Sequence, residues 1–282
     1  MWWSTVRTIV LMGVLTTEML MRFRDDGYIV VRGLVAEQLL VEADCEIDVV
    51  AAGRMPPTEG DGGPGVSTWF LPPVTLPAAE AALRDSMALQ IACELVAPDT
   101  LDLAFDHIQI STTKSPWSHI PGGPHIDGHL GGESPDSFTL LAAILLTDQT
   151  HTQSGNLWVW PGSHLVHSRL FRERGVDAVA VSGGHSTWPE KLVELDSPEP
   201  VVGSRGDVVL AHYLLGHNKG GHVQAFDRRT LYYRLATPGH RQGWRETFLD
   251  PWTDYPPIRA LPNREGARQL SNTDQQMSFR NL

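Results

Sequence analysis

The run Phe138-Thr139-Leu140-Leu141-Ala142-Ala143-Ile144-Leu145-Leu146-Thr147 carries no charge. Gly131-Gly132-Glu133-Ser134-Pro135 breaks the chain before it, and Ser154-Gly155-Asn156 makes a turn after it. Successive strand residues face opposite sides, so a run that is apolar throughout fits a strand buried on both faces. Structure must cover it above and below. The other β-rich stretches are short and bounded by turn residues: Tyr28–Arg32, Leu101–Thr112, Leu157–Trp160, Val208–His212 and Leu231–Leu235. Helical spacing dominates only near the front. Thr16 or Thr17 is the expected N-cap of a first helix with Met19, Leu20 and Phe23 on one face, closed at Asp25-Asp26-Gly27. Val35–Ala51 and Ala78–Val96 read as a second and a third helix, and His164–Arg174 as a further helical piece.

Arg54–Thr75, rich in Gly and Pro, reads as a loop, with Trp69 and Phe70 as packing anchors. Val176–Ser204 is expected to be irregular and to cover the barrel mouth. Helices in front and short strands behind, with no internal repeat, predict a mainly β fold with flanking helices. The architecture expected is a double-stranded β-helix, or cupin-like jelly roll. One domain over residues 15–262 is expected, between a disordered or extended N-terminus (1–14) and a polar C-terminal tail (263–282). Thr8–Leu15 is mostly apolar, but too short to span a bilayer and without a small-x-small cleavage site.

Composition narrows the partners. A formal charge of −11 argues against nucleic acid and anionic membranes, which demand a basic face, and leaves a small-molecule substrate. Two cysteines, Cys45 and Cys93, make no disulfide framework and no Cys-x-x-Cys pair, which points to a reducing cytosol.

The chemistry concentrates at Gly123-Pro124-His125-Ile126-Asp127-Gly128-His129 and at Leu215-Gly216-His217-Asn218. On a strand, residues two apart share a face, so His125 and Asp127 can grip one ion together. An imidazole from a second strand completes two His and one carboxylate on one side of a metal, leaving the other positions open, as in non-haem Fe(II) oxygenases. His217 is the expected third ligand, and His212 and His222 stay in reserve. His129 has helical spacing from His125, but Gly128 and the surrounding glycines disfavour a helix there. His164 reads as a loop or cap residue. Trp158 and Trp160 share a strand face and read as core.

These pieces occur in a telling order. His125-x-Asp127 is followed by Trp158-Val159-Trp160-Pro161-Gly162-Ser163-His164, then Gly206-Asp207-Val208-Val209-Leu210, His217 and Arg228. The opening Phe23-Arg24-Asp25-Asp26-Gly27-Tyr28-Ile29-Val30-Val31-Arg32-Gly33-Leu34 fits as well. Together they resemble the phytanoyl-CoA hydroxylase-like family of Fe(II)- and 2-oxoglutarate-dependent dioxygenases, from about Leu15 to about Leu235. The resemblance implies Fe(II) on His125, Asp127 and His217, with 2-oxoglutarate and O₂ as co-substrates and ascorbate as reductant in vitro. It implies oxidative decarboxylation to succinate and CO₂, coupled to attack on an unactivated C–H bond of a small metabolite. Asp127 argues against halogenation, which needs a small residue there.

In that family the 2-oxoglutarate tail meets an Arg about eleven residues past the distal His, and Arg228 stands at that distance. A carboxylate suits the planar fork of Arg better than the point charge of Lys. Arg229 remains the alternative if the turn contains a bulge. Gln109 is the expected polar partner of the cofactor on the preceding strand. A non-redox cupin-like isomerase or hydrolase and a catalytically silent ligand-binding jelly roll are the competing classes.

Overall fold

The computed structural model describes residues 13–53, 65–102, 107–127, 137–179, 186–187 and 193–262. His129, the tail 263–282 and most of the N-terminal segment lie outside them. The first described helix, α1 (Thr17–Asp26), starts where Thr16 accepts from the Met19 amide. It stops at Gly27 in the left-handed region (φ 83°). A side chain there is excluded twice over, since a Cβ would also lie 2.5 Å from the His164 ring. Strand β1 (Tyr28–Val31) and helix α2 (Glu37–Ala52) follow as expected.

Two expectations in the first hundred residues need correction. Within Arg54–Thr75, Val66–Leu71 forms a strand, β2, and Pro73–Thr75 a 3₁₀ turn. Its β-branched and aromatic residues pair in register with β3 (Ile108–Thr113), which outweighs the Gly- and Pro-rich surroundings. The helix expected over Ala78–Val96 is two helices, α3 (Pro77–Arg84) and α4 (Met87–Val96). Ser86 causes the break by capping the Ala88 amide, a competition with helix continuation that Ser is suited to win.

The remaining strands are β4 (Ile126–Asp127), β5 (Leu140–Leu145), β6 (Leu157–Val159), β7 (Ser186–Thr187), β8 (Glu199–Pro200), β9 (Val208–His212), β10 (His217–Lys219) and β11 (Arg228–Leu235). Six form an antiparallel sheet in the order β1-β9-β5-β11-β3-β2, and a smaller sheet runs β10-β6-β8. A third pairing joins β4 to β7, so the segment expected to be wholly irregular braces the metal motif. Residues of both sheets line one cleft, and the layers are those of a double-stranded β-helix. Strand β5 lies inside the large sheet, buried at every residue, as its apolar run requires.

Helix α5 (Ser163–Arg174), the short α6 (Val176–Val179), α7 (Pro238–Leu249) and α8 (Pro256–Arg259) complete the chain. The sequence reading missed α7, although Thr237-Pro238 is a cap followed by a first-turn proline. Its anchor is buried: His240 Nδ1 donates to Asp254 at 2.6 Å, and His240 Nε2 lies 3.0 Å from the Ser137 hydroxyl. Thr139 and Thr237 also donate to Asp254. This cluster fixes the entry to β5 against α7. No helix among the described residues is long and apolar enough to cross a membrane.

Three imidazoles, two on α5 and one at the end of β9, are buried. His164 donates to the Arg24 carbonyl (3.1 Å) and His167 to that of Leu214 (2.7 Å). His212 donates to Pro251 (2.8 Å) and accepts from the Leu214 amide (3.0 Å). Burial pushes His164 down to about 3, His167 down to about 4, and His212 well below its ordinary value. All three are therefore neutral in the fold, whereas the unfolded chain takes protons near 6.5. Because the unfolded state binds more protons in that window, stability is full above about pH 6.5 and declines as the pH falls towards 4. His167 alone accounts for roughly 3 kcal/mol of this by pH 4. Urea unfolding should give a lower midpoint at pH 5 than at pH 8, with a smaller difference in His167→Gln. Equal midpoints in the wild type would contradict this account.

Candidate active site

Strand alternation builds the site. On β11, Arg228, Thr230, Tyr232 and Arg234 share one face, and Arg229, Leu231 and Tyr233 the other. The second face looks at the helices: the Tyr233 hydroxyl donates to Ala79 O of α3, and Arg229 pairs with Asp48 (2.6 Å) and Asp44 (3.5 Å) of α2. The first face looks into the cleft. There Tyr232 stands opposite Gln109, and Thr230 opposite Ser111.

Across the cleft, His217 at the start of β10 and His125 beside β4 exchange reciprocal backbone hydrogen bonds of 3.0 and 2.9 Å. Asn218 adds a bond to Gly123 O at 2.6 Å. The two imidazoles are thereby set side by side, with ring centroids 4.5 Å apart. Both Nε2 atoms lie 3.4 Å from Asp127 Oδ1. One ligand atom from each residue falls within 4.8 Å of the others, so this trio can hold one metal ion. His217 Nδ1 is committed to the Leu215 carbonyl (3.0 Å), which aims Nε2 at the cluster.

The electrostatics suit a cation. Burial works to raise the Asp127 carboxyl, but the Arg234 charge and the two imidazoles outweigh it and hold Asp127 well below the usual carboxylate range. Burial and the neighbouring His217 lower His125. For His217 burial is the largest single effect and lowers it, but the charge and hydrogen bond of Asp127 and the bond to the Leu215 carbonyl together raise it.

Arg228 is only 3% exposed. Its Nη1 donates to Ser111 Oγ (2.8 Å) and its Nη2 to the Tyr232 hydroxyl (2.6 Å). Nε has no partner among the described residues, and no carboxylate of theirs meets this guanidinium. Gly155 makes room for it: φ is +73°, and a Cβ would lie 2.8 Å from Arg228 Cγ. A buried cation with an orphan donor is fitted to receive an anion.

The cleft thus gathers His125, Asp127, His217 and Gln109, with Arg228 bonded to Ser111 and Tyr232 of its lining, and Arg229 on the opposite face of β11. His212 is a structural imidazole, and His222 is bridged to Trp117 and Ser154 with its ring against Phe226 O, outside the trio. His164 is buried in the first turn of α5. Trp158 and Trp160 are core residues, the Trp158 indole lying where a Gly220 Cβ would be. Sequence reasoning missed Ser111, Tyr232, Arg234 and Lys219. Three of these were within reach, since counting in twos from Arg228 and from Gln109 leads to Tyr232, Arg234 and Ser111.

A jelly roll with two imidazoles and a carboxylate converging on one point defines a class of proteins that can hold a non-haem metal. The chain belongs to the phytanoyl-CoA dioxygenase (PhyH) family, whose model matches residues 23–230. No curated protein matches it. Among solved structures, the epimerase SnoN with Fe3+, alpha-ketoglutarate and nogalamycin RO is similar at TM-score 0.58 and 18% identity, covering 78% of this chain and 82% of that one. The carbocyclase SnoK from nogalamycin biosynthesis is similar at 0.57 and 22%, covering 79% and 84%. HygX from Streptomyces hygroscopicus, with nickel, 2-oxoglutarate and hygromycin B, is similar at 0.53 and 18%, covering 79% and 88%.

Replacing His125, Asp127 or His217 with Ala should each weaken Co(II) or Fe(II) binding by more than the ~10–100-fold that outer partners of metal ligands are worth. His222→Gln should bind metal like the wild type. Calorimetric titration decides this, and undiminished binding in His217→Ala would remove it from the ligand set.

Proposed function

We propose that the protein is an Fe(II)- and 2-oxoglutarate-dependent oxygenase that oxidises an unactivated C–H bond of a small metabolite. Supporting this most directly is the converged trio together with a buried guanidinium that meets no carboxylate among the described residues and is bonded to Ser111 and Tyr232 of the same cleft. In this reading His125 Nε2, His217 Nε2 and Asp127 Oδ1 hold the iron. Arg228 takes the distal carboxylate of 2-oxoglutarate through its orphan Nε and its fork, and the Ser111 and Tyr232 hydroxyls complete the anion site. Gln109 lines the cofactor space opposite Tyr232. Leu141 and Leu157 give the cleft apolar walls that restrict water. Iron and the 2-oxo acid together supply O₂ activation, with succinate and CO₂ as co-products.

Hydroxylation is the default outcome. The similar folds named as epimerase and carbocyclase support including stereochemical inversion and ring closure among the outcomes open to such a site. A free metabolite fits better than a CoA thioester, because the chain is acidic and shows no basic cluster for the CoA phosphates. Two free cysteines, one of them exposed, support a reducing, cytoplasmic setting.

A carboxylate on a buried guanidinium is worth roughly 2–5 kcal/mol when one partner is truncated. Arg228→Ala should therefore raise the 2-oxoglutarate dissociation constant about 30-fold or more, and Arg228→Lys should recover only part. Arg229→Ala should bind 2-oxoglutarate like the wild type. The measurement is anaerobic titration of the Fe(II) protein, followed by the metal-to-ligand charge-transfer absorbance. No 2-oxoglutarate binding in the wild type would defeat the oxygenase reading and favour a non-redox cupin-like metalloprotein.

A further inference from the structure

The carboxylate of the candidate trio has two oxygens, and the fold treats them differently. Oδ1 faces both imidazoles at 3.4 Å. Oδ2 faces away from them and is gripped by Arg234, with Nη2 at 2.9 Å and Nε at 3.2 Å. Arg234 is held in turn: its guanidinium lies over the rings of Phe70 (5.6 Å) and Phe138 (5.7 Å), and its side chain is 10% exposed. Strand β11 fixes its direction, since Arg234 shares a face with Arg228 and Tyr232. Asp127 can neither turn its plane nor swing Oδ2 inward without breaking two charge-assisted bonds.

We propose that Arg234 is a positioning residue that confines Asp127 to one-oxygen ligation, so that a chelating 2-oxo acid finds its coordination position free. This rests on the oxygenase reading above. A carboxylate released from Arg234 could close on the metal through both oxygens and contest the position that 2-oxoglutarate needs. Arg234 thus acts on cofactor binding without touching the cofactor.

The test compares wild type, Arg234→Met and Arg234→Lys. Met keeps an apolar stem between the two rings but donates nothing; Lys keeps the charge without the fork. In anaerobic Fe(II) titrations, Arg234→Met should bind metal within about threefold of the wild type, while its 2-oxoglutarate dissociation constant rises about tenfold or more, or ~1.4 kcal/mol. Lys should fall between. The visible spectrum of the Co(II)-loaded protein, recorded without 2-oxoglutarate, should change in Arg234→Met as the ligand set changes. A folded Arg234→Met with wild-type 2-oxoglutarate affinity and Co(II) spectrum would overturn the proposal. If Met does not fold, Lys decides: unchanged 2-oxoglutarate affinity and spectrum overturn it equally. A wild type that binds Co(II) but shows no 2-oxoglutarate band would defeat the oxygenase reading alone, and the Co(II) spectra would still decide Arg234. A wild type that binds no metal would overturn both.

Discussion

Strand β11 buries two guanidinium groups on one face, and the demand this creates organises the cleft around it. A buried charge is tolerated only when paired and hydrogen-bonded. Arg234 meets that demand within the chain, through Asp127 and the rings of Phe70 and Phe138. Among the described residues Arg228 meets it only with neutral groups, the Ser111 and Tyr232 hydroxyls and the Ser111 carbonyl. One strand therefore offers a satisfied cation beside the imidazoles and an unsatisfied one further along. In the proposed function the unsatisfied one takes the carboxylate tail of the 2-oxo acid. On the other face, the same alternation commits Arg229 to Asp44 and Asp48.

The site survives because the two sheets carry different parts of it. The small sheet and its neighbour β4 supply the imidazoles and the carboxylate, tied by the reciprocal His125–His217 backbone bonds. The large sheet supplies the arginines, and its far side is clamped by Tyr233 to α3 and by Arg229 to α2. Buried, neutral His164, His167 and His212 tie α5 and the end of β9 to the Arg24, Leu214 and Pro251 carbonyls. The excess negative charge of the chain sits partly on α2, where Glu37, Asp44 and Asp48 hold Arg205 and Arg229. An acidic protein can thus keep a cation-rich cleft.

Much of this was legible from residue order. His125-x-Asp127 could be read because period-two spacing reflects strand geometry directly, whereas His217 and Arg228 were read from the order and offset that the family resemblance implies. The choice between Arg228 and Arg229 needed the register, since a single bulge between His217 and the strand reverses every face. Val66–Leu71 was hidden by neighbouring glycines and prolines, and its pairing with β3 is non-local. The break at Ser86 was visible only as a polar pair inside an apolar periodicity. Arg234 was unreadable as a partner of Asp127 because their contact spans 107 positions and two layers. Alternation gave its face; only the fold gave its neighbour.

The claim that bears the most weight is that one metal and one 2-oxo acid occupy this cleft together. Crystals grown anaerobically with Fe(II) and 2-oxoglutarate, measured at the iron absorption edge, test it directly. The account expects one anomalous peak bounded by His125 Nε2, His217 Nε2 and Asp127 Oδ1, with 2-oxoglutarate density running from it to Arg228 and Asp127 Oδ2 still held by Arg234. Iron bound elsewhere, or 2-oxoglutarate seated away from Arg228, would contradict it.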